Sequence, residues 1–182
     1  MECVPSYRLR VLSSKESSER ERRPRCYIWA IEEPFKAHEF SSMVKIAKTL
    51  NLKIILDESF LNSNSLKQIQ NQSDIFIPNL RISKLGGVLR TIELIRELEN
   101  QNFQWILGSH VGEMSLLTRA SLLILKIQRK NSLVAKEGAF STHLLSVDPF
   151  YPNIKFALGA KLKKIPELSS GWNMKYIYKQ KG

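Results

Sequence analysis

The sequence predicts an α/β protein, a parallel sheet whose strands alternate with covering helices. Three observations predict it. Short apolar runs rich in β-formers alternate with stretches of helical period. The runs are nearly continuous in apolar residues, the pattern of strands buried on both faces rather than one. Their polar tips also recur at a regular stride, with Glu32, Asp57, Arg81 and His110 separated by 25, 24 and 29 residues. In strand–helix repeats of this kind the C-terminal ends of the strands carry the chemistry.

The elements follow in order. Cys26-Tyr27-Ile28-Trp29-Ala30 is the first strand of the repeat and closes at Ile31-Glu32-Glu33-Pro34. Phe40, Met43, Ile46, Ala47 and Leu50 then fall on one side of a helix. Leu52-Lys53-Ile54-Ile55-Leu56 closes at Asp57-Glu58-Ser59, and the polar, Asn-rich residues 61–72 that follow predict only a short helix. A third strand, residues 75–82, leads to Gly86-Gly87, which opens a helix with Val88, Leu89, Ile92, Ile95 and Leu98 on its apolar side. The fourth strand, residues 103–107, precedes His110 and a helix over 116–129 that is apolar enough around 120–125 to be buried. Leu133-Val134-Ala135 is a fifth strand. Right-handed crossovers place all these tips on one rim.

The flanks differ from this body. Residues 1–25 include a polar, charged stretch, Ser13 to Arg23, nearly free of large apolar groups, and are expected to be a solvated or disordered extension. Residues 26–146 form the repeat, and 147–182 break into short pieces expected to pack back on it as a tail.

A chain of 182 residues is normally one domain with room for a sizeable core. Its 43% apolar and 25% charged residues are those of an ordinary globular protein. Cys3 and Cys26 make neither a disulfide framework nor a metal-finger spacing, which points to a reducing compartment. The start lacks the zones of a signal peptide and no apolar run would span a bilayer, so a cytoplasmic location without membrane attachment is expected. The net charge of +11 raises the question of nucleic acid, but the excess is scattered, and a basic solvated surface is the expected reading.

Four segments carry a family resemblance: Trp29-Ala30-Ile31-Glu32-Glu33-Pro34, Leu56-Asp57-Glu58-Ser59, the run from Asn79 to Gly87, and Gly108-Ser109-His110-Val111-Gly112-Glu113. In order and spacing they resemble the C-terminal barrel portion of the enolase superfamily, nearest the group of muconate lactonizing enzyme, o-succinylbenzoate synthase and dipeptide epimerase. A looser match runs on through Gly138-Ala139-Phe140 to Gly159. The resemblance implies a partial (β/α) barrel of the TIM type with about five of eight strands. It also implies a magnesium ion held by acidic strand tips, which grips a small carboxylate substrate while a base removes the neighbouring proton.

By the same resemblance Glu32 and Asp57 match the second and third metal ligands, and Glu58 a position behind them. An acidic residue beside proline after a strand more often starts a helix than binds a metal, and it is the register of the two that favours ligands. The family's first carboxylate ligand has no counterpart, since no Asp precedes Asp57. Arg81 stands where the group carries a catalytic lysine. Arginine stays protonated at neutral pH, so it would clamp a carboxylate or stabilise developing charge rather than accept a proton.

His110 resembles in place the catalytic histidine of the mandelate racemase branch, although the Asp partner used there falls on the Arg81 position. Lys84, three residues beyond Arg81, is expected at strand period to point elsewhere. Glu113 is a candidate pocket residue or a cap for the following helix, and Glu137 lies near a further pocket position. The expected function is that of a truncated enzyme of this family, a racemase, epimerase, cycloisomerase or dehydratase, with weak or no activity. The alternative is a non-catalytic remnant that forms homo-oligomers through open sheet edges.

Overall fold

The computed structural model describes residues 11–16, 25–110, 113–128, 132–137, 148, 150 and 154. Six strands form one sheet in the order β1-β2-β3-β4-β5-β6, namely Val11–Glu16, Arg25–Glu32, Lys53–Leu56, Phe76–Arg81, Trp105–Gly108 and Leu133–Lys136. Four helices lie between them in sequence: α1 Phe40–Leu50, α2 Ser63–Gln68, α3 Val88–Asn100 and α4 Ser115–Ile127. The fold class is that of a partial (β/α) barrel of the TIM type, with five parallel strands from β2 onward, as the periodicity and the resemblance predict. The looser match beyond Gly138, and the tail apart from Asp148, Phe150 and Ile154, lie outside the described residues.

The chain divides into two compact units whose boundary runs through β4 and β5. The first holds Met1–Asn79 and Leu98–Trp105. Within it β2 pairs in parallel with β3, placing Glu32 opposite Ile55, and β3 pairs in parallel with β4. Every residue from Ile54 to Leu56 and from Phe76 to Leu80 is buried, which is why these strands read as nearly continuous apolar runs, Asn79 being the exception. Met43 and Ala47 form the buried side of α1, and the helix ends where Asn51 adopts the left-handed conformation and donates its N–H to the Ala47 carbonyl. The Asn-rich segment gives a helix of only six residues, capped by the Asn62 side chain, which accepts from the N–H groups of Asn64 and Ser65.

One element falls where none is predicted. Residues 1–25 are expected to be a solvated or disordered extension, yet Val11–Glu16 form β1, paired antiparallel with β2 from Val11 opposite Ile31 to Glu16 opposite Arg25. A strand that joins a sheet at its edge is held by backbone hydrogen bonds and needs no apolar run of its own. The edge of β2, expected to be open, is therefore covered.

The second unit holds Leu80–Glu97 and Ile106–Gly182. Gly86 and Gly87 have φ of 84° and 110°, in the region that other residues adopt only under strain, and Gly87 donates to the Ile82 carbonyl to turn the chain into α3. Beyond β6 the Glu137 N–H donates to the Leu107 carbonyl at 2.8 Å, and the Glu137 carboxylate accepts from the Ser109 N–H at 3.3 Å. These two bonds tie the end of β6 to the end of β5.

Candidate functional site

The predicted site residues fall into two groups, one in each unit. In the first unit Glu32 is the last residue of β2, and Asp57 follows β3 directly. Glu32 is part-exposed, whereas Asp57 is only 2% exposed. A carboxylate so far out of water is kept ionised only by a cation or by hydrogen bonds.

Next to Glu32 in the chain stands Glu33, whose role the sequence does not reveal. Its Oε1 accepts from the N–H groups of Asp57 at 3.1 Å and Ser59 at 2.8 Å, and its Oε2 accepts from Glu58 N–H at 3.1 Å. Three successive amides converging on one carboxylate fix the turn after β3 and hence the backbone that carries Asp57. Glu58 contributes its amide to this turn and is itself exposed. Ser59, fully buried, accepts from the His38 N–H at 2.8 Å, so His38 helps to fix the same loop through its backbone while its ring packs edge-on against Phe40.

Among the described residues no group of three or more His, Cys, Asp and Glu side chains could hold a metal ion. With Glu33 committed to backbone amides, the tips of β2 and β3 offer two carboxylates, Glu32 and Asp57. Carboxylate oxygens are the donor type that magnesium takes, usually one or two of them with waters and substrate oxygens completing the shell.

The second group joins the tips of β4 and β5. Arg81 ends β4 and His110 follows β5, and Arg81 Nη1 lies 3.1 Å from His110 Nδ1. The sequence singled out both residues but not the bond between them. β4 stops at Arg81, so Lys84 sits in the following turn, where strand period no longer applies, and its charge joins in lowering the His110 pKa. Glu113 accepts from the Ser83 hydroxyl at 3.2 Å. The amide of Ser115 at the start of α4 is taken instead by Asp148, at 2.8 Å.

Burial, then the Arg81 charge, lowers the His110 pKa below the ordinary histidine value; Glu113 opposes the shift and Lys84 adds to it. The unfolded chain therefore takes up this proton before the folded one does. His110 contributes stability that is complete above the unfolded pKa of about 6.5 and is lost as pH falls through the lower folded value. The melting temperature is expected to decline as pH is lowered from about 6.5, and the decline should be shallower in His110→Gln. Identical slopes would show that this proton is not linked to folding.

Comparison with known proteins agrees with this layout. Residues 13–159 match the family described as Enolase C-terminal domain-like. The chain is 28% identical over 79 residues to an L-amino acid-D/L-Glu epimerase from Sulfurimonas denitrificans, covering 43% of this chain and 23% of that protein. Among solved structures, the dipeptide epimerase from Cytophaga hutchinsonii, complexed with Mg and the dipeptide D-Ala-L-Val, superposes with a TM-score of 0.64 at 20% identity, over 75% of this chain and 36% of that one. The L-Ala-D/L-Glu epimerase from Bacillus subtilis gives 0.63 at 18% identity, over 74% and 36%. The chain thus spans about a quarter of the length of the curated relative and a little over a third of the solved ones.

Proposed function

We propose, on the premise that this chain belongs to the enolase C-terminal domain-like family, that it carries metal-binding and substrate-facing residues of a magnesium-dependent racemase or epimerase acting next to a carboxylate. The observation that carries the reading is the placement of Glu32 and Asp57 at the C-terminal ends of adjacent parallel strands, with Asp57 buried and its backbone held by Glu33. We assign these two carboxylates to the metal. Magnesium, when bound, offsets the charge of a substrate carboxylate and of the enediolate that proton loss creates.

Arg81 and His110 are assigned to the substrate. The guanidinium remains charged at any working pH and suits a carboxylate or an oxyanion better than a proton. Turnover by this chain is expected to be slow for that reason, since arginine stands where related enzymes use a lysine base. Small carboxylates are the substrate class, and dipeptides are the first to test, because the curated relative is an amino acid–Glu epimerase and one structural neighbour holds D-Ala-L-Val.

The test is thermal unfolding with and without magnesium. The parent chain should melt at a higher temperature in saturating magnesium, as any ligand selective for the native state requires. Glu32→Ala and Asp57→Ala should each abolish that rise while keeping a cooperative transition without metal. A parent chain indifferent to magnesium would remove the metal assignment.

A further inference from the structure

We infer that Arg81 is a positioning residue that holds His110 as its neutral Nε2–H tautomer, so that the tip of β5 offers a hydrogen-bond donor to a substrate carboxylate oxygen rather than a proton acceptor. The inference deepens the assignment of these two residues to the substrate and rests on that reading. Its core is the 3.1 Å approach of Arg81 Nη1 to His110 Nδ1. A guanidinium has five N–H donors and no acceptor, so the imidazole nitrogen facing it must supply the lone pair. Neutral imidazole has one such nitrogen. With Nδ1 accepting from arginine, the remaining proton sits on Nε2, which is then a donor only.

The alternative protonation states fail on the same contact. The Nδ1–H tautomer would set an N–H against an N–H at 3.1 Å, and so would the imidazolium. Among the described residues, the charged groups acting on the ring are Arg81 at the end of β4, Lys84 in the turn after it and Glu113 in the segment after β5. Two are cations. The one anion, Glu113, also accepts from the Ser83 hydroxyl. The surroundings therefore agree with the geometry in keeping the ring neutral. A histidine in this condition is a poor general base, because its lone pair is already engaged by arginine, yet it is well suited to polarise an oxygen on which negative charge resides or develops. A neutral imidazole can act as such an electrophile without itself carrying charge.

The chemical consequence is a division of labour unlike a two-base arrangement. At these two tips nothing takes a proton from carbon; the pair receives an anionic oxygen. It would discriminate a carboxylate from its amide analogue, which brings no charge to a site bordered by the Arg81 guanidinium.

Nitrogen-15 NMR of the histidine side chains of the 182-residue chain, recorded without magnesium, tests this directly, with His110 identified by its loss in His110→Asn. At neutral pH the His110 ring should show a protonated Nε2 and an unprotonated Nδ1. Acetate should shift the Nε2–H resonance, and acetamide should not. Arg81→Met should give mixed tautomers, a His110 titration moved up toward the ordinary range and loss of the acetate response. Arg81→Lys, which can still donate to Nδ1, should restore the Nε2–H form. An Nδ1–H or doubly protonated ring in the parent at neutral pH would overturn the proposal, as would equal responses to acetate and acetamide. Because no metal is present, a failed magnesium response leaves this result standing, and a failed tautomer leaves the metal assignment standing.

Discussion

Glu33→Ala is expected to destabilise the chain by about 3 kcal/mol and to remove the magnesium response although Glu33 is not itself assigned to the metal. The carboxylate accepts three amides, those of Asp57, Glu58 and Ser59, at 2.8 to 3.1 Å. A hydrogen bond to a charged group contributes roughly 1.5–3 kcal/mol, but the Glu58 amide is exposed and water will replace part of what the mutation removes. The Asp57 and Ser59 amides lie in a part-buried turn and are not so readily served. For a chain of this length about 3 kcal/mol corresponds to a fall in melting temperature of roughly 6–12 °C.

The more telling effect concerns Asp57. Its side chain is 2% exposed and its backbone is positioned by the carboxylate that the mutation deletes. Glu33→Gln separates charge from shape, because one amide oxygen can still accept while the NH2 group must face a backbone donor. It should lie between the parent and Glu33→Ala in stability. Unfolding curves for the three proteins, with and without magnesium, decide the matter. A Glu33→Ala chain that keeps both its melting temperature and its magnesium response would show that the turn after β3 holds itself.

The residues that sequence reasoning found and missed divide along a physical line. Strands β3, β4 and β5 were legible because burial on both faces leaves a nearly continuous apolar run. Helix α1 was legible because one buried side, Met43 and Ala47, repeats at helical period. Strand β1 was not, because an edge strand is recruited by the backbone of its neighbour, and of its six residues only Val11 and Leu12 are apolar. At the candidate site the tips themselves could be read from their stride, but not their bonds. Glu33 reaches amides 24 to 26 residues away, and Arg81 meets a histidine 29 residues on. Nothing local to either residue encodes such a partner. Strand period does not extend to Lys84, which lies in the turn after β4.

Asp148 extends the same lesson to the second unit, where an acidic side chain bonds to a serine 33 residues earlier. Met114 caps α4 without a side-chain hydrogen bond, which leaves the first amides of the helix to find partners elsewhere. Asp148 Oδ2 accepts from both the N–H and the hydroxyl of Ser115, and its Oδ1 accepts from the Phe150 N–H at 3.0 Å. The Ser115 oxygen in turn accepts from the Ile154 N–H at 2.8 Å. Ser115, Phe150 and Ile154 are all buried, so water cannot substitute freely when the carboxylate is removed. Asp148→Ala should therefore cost about 2–3 kcal/mol, the penalty of buried donors left without an acceptor, with loss of a negative charge at a helix N-terminus adding to it. Asp148→Asn retains one oxygen and should recover part of the loss. Ser115→Ala removes the shared hydroxyl, so the double variant should be more stable than the sum of the single losses predicts, as residues in one network require. Strict additivity in denaturant unfolding would mean that the two residues act separately, and α4 would then owe its anchoring to its buried side, which includes Ala120 and Ile124.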